Sequence, residues 1–109
     1  MLKRQHRLLV QNRLSNPTSL TTPIFILKVA PNHLPQSRFG FIVRKALDKR
    51  ATKRNRVRRV FRSCIEQLLP QIKPGYDFLF ILQKKSLEYN REDFLKEIEQ
   101  ILQRKQYFV

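Results

Sequence analysis

Between Val57 and Leu69 the apolar residues Val57, Val60, Phe61, Cys64, Ile65, Leu68 and Leu69 fall at i, i+3, i+4, i+7, i+8, i+11 and i+12. This is the repeat of one α-helical face, and it runs through the most basic part of the chain. Ten of the nineteen residues from Arg44 to Arg62 are Lys or Arg, and Asp48 is the only acid among them. A helix with one apolar side and a cationic remainder has to be anchored in a core while its charge points outward. That excludes a disordered basic tail. The pattern predicts a helix from about Thr52 to Leu69, with Thr52 as N-cap, ended by Pro70 and then Pro74-Gly75.

The rest of the chain supplies partners for that stripe. Ile24 to Ala30 is β-branched and aromatic and reads as a strand, as does Arg38 to Arg44. The turn Pro31-Asn32-His33-Leu34-Pro35 between them is short, so an antiparallel pair is expected. Leu20-Thr21-Thr22 fits a short edge strand. Tyr76 to Leu82 is apolar on both faces, as a central strand is. Asn90 caps a last helix, with Glu92 and Asp93 in its first turn, Arg104 and Lys105 near its end, and Phe94, Leu95, Ile98, Ile101 and Leu102 as its buried stripe. Residues 1–22 are weakly patterned and hold at most a short helix; residues 24–105 form the core. The 109 residues therefore make a single domain of class α+β. A mixed sheet of three to four strands carries helices on one face, in the order α-β-β-β-α-β-α, and its other face is left free.

Charge then separates the two halves. Residues 1–62 hold sixteen Lys/Arg against one acid, and residues 63–109 hold seven of each, so the whole net charge of +15 sits in the first part. Charge placed in this way fits a polyanionic partner. The single Cys64 permits no internal disulfide and fits a reducing cytosol. Because it lies on the apolar stripe, it reads as a small core residue. The basic N-terminus has no apolar run after it, so no secretory signal is expected, and no stretch approaches the ~18 apolar residues of a membrane span. Neither histidine, His6 or His33, has zinc-site spacing, and no acid pair has metal-site spacing. A small-molecule substrate, a membrane partner and a protein-bound cofactor are therefore not expected.

Two surfaces are candidates for the polyanion. On the long helix Arg54, Arg58 and Arg62 stand at i, i+4 and i+8, flanked by Asn55 and Arg59, and Lys45, Lys49, Arg50 and Lys53 extend the patch through the preceding loop. Arginine suits this role because its planar fork can grip two phosphate oxygens. Most charged helix faces are simply solvated, but such faces mix signs and this one has no acid between Lys49 and Ser63. The second surface is the sheet. Phe25, Leu27 and Val29 with Phe39, Phe41 and Val43 make the core face. Ile24, Ile26 and Lys28 with Arg38, Gly40, Ile42 and Arg44 make a face that suits a single strand of nucleic acid, or else an ordinary solvated surface.

At this point Lys53-Arg54-Asn55-Arg56-Val57-Arg58-Arg59 resembles the Arg-Asn-Arg signature of the bacterial ribonuclease P protein subunit. Phe39-Gly40-Phe41-Ile42-Val43-Arg44-Lys45 resembles the strand and basic loop before that signature, Gly75 to Ile81 the strand after it, and residues 91–105 the final helix. The resemblance implies the fold of the second domain of ribosomal protein S5, with a left-handed βαβ crossover. It also implies the protein component of a ribonucleoprotein endoribonuclease in the bacterial cytoplasm. The partners would be a catalytic RNA, with Mg²⁺ at the RNA active site, and precursor tRNA; the protein alone would be inert. Arg54, Asn55, Arg56, Arg58 and Arg59 are then the motif residues, with Arg56 pointing less squarely outward than Arg58 on helical phase. Ile26, Lys28, Arg38, Gly40, Ile42 and Arg44 fall at the cleft for the single-stranded 5′ leader. The N-terminal part departs from the family. Where an Asp-Phe pair and a second Phe are usual, this chain has Leu8-Leu9-Val10-Gln11-Asn12-Arg13-Leu14, and Lys28 replaces a frequent tyrosine. Leader affinity is then expected from charge and from Leu8, Leu9 or Leu14. A ribosomal-type rRNA-binding protein is the alternative, sharing charge and fold but not leader preference. A DNA-binding helix module lacks its helix-turn-helix pair, and a nuclease in its own right lacks an acid cluster.

Overall fold

The strand with two apolar faces lies inside the sheet, and its position decides the topology. The computed structural model describes residues 3–8, 14 and 16–109. Among these, the strands are β1 (Thr18–Thr21), β2 (Phe25–Pro31), β3 (Arg38–Ile42) and β4 (Tyr76–Leu82), and the helices are α1 (Ala51–Leu68) and α2 (Arg91–Arg104). The sheet order is β1-β2-β4-β3. β4 pairs antiparallel with β2, from Phe25 opposite Leu82 to Pro31 opposite Tyr76, and parallel with β3, from Arg38 opposite Asp77 to Ile42 opposite Ile81. The antiparallel β2–β3 pair expected from their short connection is therefore not formed. The intervening loop steps across the start of β4 instead: Asn32 N–H donates to the Gly75 carbonyl at 2.9 Å, and His33 takes a left-handed φ of 58°. Burying both faces of Tyr76–Leu82 outweighs the local preference for a hairpin.

One sheet face carries both α-helices. Phe61 of α1 is fully buried and meets Phe94 of α2 at 5.0 Å between ring centroids, Phe80 at 5.3 Å, Phe25 at 5.5 Å and Phe41 at 5.9 Å. A single aromatic ring thus pins the basic helix to three strands and to its neighbour. Cys64, Ile65 and Leu68 continue the seam. Ile24, expected on the opposite face, lies in the turn before β2 and is fully buried in this core.

The two helix starts differ. α2 has the expected Asn90 cap, with Asn90 Oδ1 accepting from Asp93 N–H at 2.9 Å and Asp93 Oδ2 accepting from Asn90 N–H at 3.3 Å. α1 begins one residue earlier than expected and Thr52 does not cap it. Arg50 occupies the N-cap position and makes no side-chain cap. The expected N-terminal helix appears, among the described residues, as a 3-10 turn over Arg4–His6. Residues 9–13 and 15 lie outside the described residues.

Candidate nucleic-acid interface

α1 turns by about 100° per residue, so its buried residues fix where each arginine points. With Val57, Phe61, Cys64, Ile65 and Leu68 inward, Arg59 stands opposite the core, with Asn55 and Arg56 exposed to either side of it. Arg54, Arg58 and Arg62 are half-buried. The expectation that Arg58 points more squarely outward than Arg56 is therefore reversed. Val60 and Leu69, on the two edges of the apolar stripe, are only half-buried, so the buried centre stays between Val57 and Phe61. Arg58, three residues before Phe61 and seven before Ile65, shares their side of the helix and so lies on its shoulder. On such a shoulder a long arginine side chain can lay its apolar stem along the protein and keep its charged end accessible. The partners of two of these heads are neutral: Arg58 Nη1 donates to Asn55 Oδ1 at 2.9 Å and Arg54 Nη1 to the Asp48 carbonyl at 3.4 Å. A shallow hollow of about 270 Å³ lined by Arg59, Arg62, Ser63 and Glu66 ends the patch.

The loop before α1 explains how the helix starts without a cap. Asp48 Oδ1 accepts from Arg50 N–H at 2.8 Å and from Arg50 Nε at 3.0 Å, while its Oδ2 takes Arg50 Nη2 at 2.8 Å. These bonds hold the Asp48 carboxyl well below the usual carboxylate range. The side-chain-to-backbone bond turns the chain two residues ahead of the helix. Lys45, Lys49 and Lys53 are exposed around it. The first turn of α1 contains no acid. Its cations therefore add to the positive end of the helix dipole instead of offsetting it.

The open sheet face can be read row by row from the register. Ala30, Asp77 and Arg38 form one row, Ser19, Lys28, Leu79 and Gly40 the next, and Thr21, Ile26, Ile81 and Ile42 the third. This face is partly covered, not free. Leu8 N–H donates to the Phe39 carbonyl at 2.9 Å, Arg7 bridges to Phe39 in parallel, and His6 Nδ1 donates to the Ser37 carbonyl at 2.8 Å. Leu8 is thereby laid over Gly40. A Cβ at Gly40 would stand 3.2 Å from the Leu8 carbonyl oxygen and 3.2 Å from Leu79 Cδ1, tighter than most side chains sit, so Leu8 or Leu79 would have to give way by a few tenths of an ångström. The glycine leaves space for the N-terminal segment.

Ile26, Lys28 and Ile42 remain half-exposed on this face and Arg44 exposed beyond its edge. Arg38 is held differently. Its Nε and Nη2 fork onto Asp77 Oδ1 and Oδ2 at 2.8 and 2.7 Å, and Asn32 Nδ2 adds a bond to Asp77 Oδ1 at 3.0 Å. The Arg38 side chain is 27% exposed and that of Asp77 is 7%. The pair's worth lies between the ~0.2–1 kcal/mol of an exposed pair and the ~3–5 kcal/mol lost on breaking a buried one. Hydrogen bonding to Asp77 raises the Arg38 pKa, burial opposing it.

Three features of the site escape sequence reading: the Asp77 partner of Arg38, the His6 anchor and the Leu8 cover. An unpaired acid opening an apolar strand was the available signal for the first. The other two depend on where the N-terminal segment runs, which no periodicity encodes. Leu14 is half-buried, and Leu9 lies outside the described residues. Cys64 is fully buried, its Sγ 3.6 Å from the Arg91 carbonyl, and burial pushes its thiol pKa up. Among the described residues no three His, Cys, Asp or Glu side chains come together as a metal site, and no helix is long and apolar enough to cross a membrane.

Against known proteins, a family model described as Ribonuclease P matches residues 2–106. A ribonuclease P protein component of Synechocystis is 45% identical over 65 residues, which cover 60% of this chain and 52% of that protein. The match thus spans about half the length of that relative. One from Synechococcus elongatus is 30% identical over 112 residues, covering 94% of this chain and 92% of its own. Among solved structures, the RNase P protein of Thermotoga maritima superposes with a TM-score of 0.74 at 26% identity, over 82% of this chain and 86% of that one. That of Staphylococcus aureus superposes with a TM-score of 0.75 at 20% identity, over 85% and 84%, a likeness of fold.

Proposed function

This chain belongs to the ribonuclease P protein family, and on that premise we propose that it is the protein subunit of a ribonuclease P. α1 binds the catalytic RNA. The open sheet face receives the 5′ leader of precursor tRNA, whose removal gives the mature tRNA 5′ end. The observation that carries this reading is α1 itself: Arg54-Asn55-Arg56 and Arg58-Arg59 ride on a helix fixed by Phe61, with neutral partners and a helix dipole that reinforces their charge. An arrangement of this kind is stabilised by phosphate, and each phosphate neutralised releases counterions and adds roughly one unit to the salt slope of binding.

Hydrolysis in this reading belongs to Mg²⁺ held by the RNA, and the protein's side chains supply position and charge neutralisation. The leader lies along Lys28 and the aliphatic surface of Ile26, Ile42, Leu79 and Ile81. Neither this face's strand positions nor Leu8 above them carry an aromatic ring. Arg44 stands where the leader passes toward the α1 surface. The test is reconstitution at near-physiological salt. Added to a bacterial ribonuclease P RNA in Mg²⁺, the full chain should accelerate cleavage at the mature 5′ end, whereas the chain without RNA should cleave nothing. Tight binding to that RNA without any change in cleavage would favour the ribosomal-type reading and overturn this one.

A further inference from the structure

The open face lacks an aromatic ring, yet it holds one planar, delocalised group that is fixed in place. We propose that Arg38 is the platform on which one leader nucleobase stacks, and that it is not a phosphate clamp. The inference rests on the leader-binding reading above and assigns a chemical role within that surface.

Arg38 opens β3 on the same face as Gly40 and Ile42 and in the same row as Asp77. Its Nε–Nη2 edge is taken by the two oxygens of Asp77 at 2.8 and 2.7 Å. The edge best suited to fork onto a phosphate is therefore already satisfied, and the neighbouring carboxylate offsets the charge. What is left for a ligand is the plane and the Nη1 end. Asp77 is itself held by Asn32 from the β2–β3 loop and is 5% exposed, so the plane is fixed before any ligand arrives. With 27% of its side chain exposed, Arg38 is accessible but not free to sweep through solvent. Unpaired bases in RNA stack on guanidinium planes as they do on aromatic rings, and a pre-ordered plane costs little entropy to use. Lys28, one row along and one strand beyond β4, is the contrasting group: half-exposed, with the backbone phosphate as its natural partner. Arg38 and Lys28 thus divide the work between base and backbone.

The experiment uses the full chain assembled with ribonuclease P RNA. It compares binding of mature tRNA with binding of precursor tRNAs whose leaders carry a single abasic nucleotide, moved one position at a time. Arg38→Lys keeps the charge and a bond to Asp77 but loses the plane. It should cost about tenfold in the preference for precursor over mature tRNA, the scale of one lost base stack. That loss should vanish when one particular leader nucleotide is abasic, and the salt slope should stay unchanged. Arg38→Tyr combined with Asp77→Asn replaces the paired guanidinium by a neutral plane and should restore most of the preference. A merely structural role for Arg38 predicts a different result: weaker binding to intact and abasic leaders alike, and no restoration by tyrosine. That result overturns the proposal, as does a wild-type leader preference with no position at which Arg38 matters. A wild-type assembly that binds precursor and mature tRNA equally would overturn the leader-binding reading itself, and this proposal with it.

Discussion

α1 and α2 lie side by side in one core, with Phe61 and Phe94 in contact, and they follow opposite rules at their ends. α2 is a self-sufficient helix. It has a reciprocal cap between Asn90 and Asp93, Glu92 and Asp93 at its positive end and Arg104 at its negative end. Its flank carries a hollow of about 490 Å³ lined by Glu88, Tyr89, Asp93, Lys96, Glu97 and Gln100, with both signs represented. α1 has no side-chain cap, no acid in its first turn and no base in its last. Each departure is worth a fraction of a kcal/mol to ~1 kcal/mol against it. Burial of Phe61, Ile65 and Leu68 outweighs them, because truncating one such side chain typically costs ~2–5 kcal/mol. A helix that depends so heavily on its inner face leaves its outer face available for a partner.

The largest expected effect tests whether position or total charge governs RNA binding. Arg56→Glu with Arg59→Glu on α1, and Lys96→Glu with Arg104→Glu on α2, each lower the net charge from +15 to +11, since every reversal removes two units. The α1 pair should lower affinity for the catalytic RNA by about a hundredfold or more and reduce the salt slope by about two. The α2 pair should leave the slope unchanged. Equal losses from both pairs, measured by filter binding across a salt series, would mean that the +15 acts as a diffuse cloud and that the comparison has no functional content.

The next effect is on stability and reverses the roles. Asn90→Ala removes one half of the α2 capping box and should lower unfolding free energy by about 1 kcal/mol, with RNA affinity unaffected. Urea denaturation followed by circular dichroism reads the first, and the same binding series reads the second. A smaller and opposite effect is expected at the matching position of α1. Arg50→Ser installs the missing cap. The cap gains about 1 kcal/mol, while the Asp48–Arg50 pair that is lost is exposed to solvent, which screens it. Stability should rise slightly while RNA affinity falls. A variant that gained both would show that the cationic start of α1 serves no partner.

How far the sequence disclosed all this depends on the kind of interaction. Helix and strand identity was legible from Val57 to Leu69, Ile24 to Ala30 and Tyr76 to Leu82, because burial imposes a period on each. Pairing was not. The short loop after Pro31 suggested a hairpin, and only the need to cover both faces of β4 places that strand between β2 and β3. The motif residues Arg54 to Arg59 were legible as a cationic face, but its centre was misplaced by part of a turn because Arg54, Arg58 and Arg62 were set opposite the apolar stripe, whereas Arg58, seven residues before Ile65, lies toward that stripe and Arg59 stands opposite it. Long-range polar partners such as Asp77 for Arg38, or Ser37 for His6, carry no sequence period at all. Local ones do better: the Asn90–Asp93 cap spans three residues and was read correctly.

The smallest effect concerns Asp48, the one acid in the basic stretch. Its carboxyl titrates below the usual range because Arg50 hydrogen-bonds it. A depressed folded-state pKa means that its contribution to stability is complete above the unfolded value of about 3.9 and is lost as pH falls toward the folded one. The stability gap between wild type and Asp48→Asn should therefore stay constant from pH 7 down to about pH 4 and close below it. A gap that persisted unchanged in stronger acid would mean that the amide and the carboxylate do the same work, and that the charge of Asp48 is irrelevant to starting α1. The same substitution should act with opposite sign on RNA. By freeing Arg50 and removing a negative charge beside phosphate, Asp48→Asn should tighten binding modestly while it loosens the free protein. In the free protein Asp48 supplies the anion that this helix start lacks; in the proposed RNA complex a phosphate would take that place, which would make the start of α1 the region where stability and affinity oppose each other most directly.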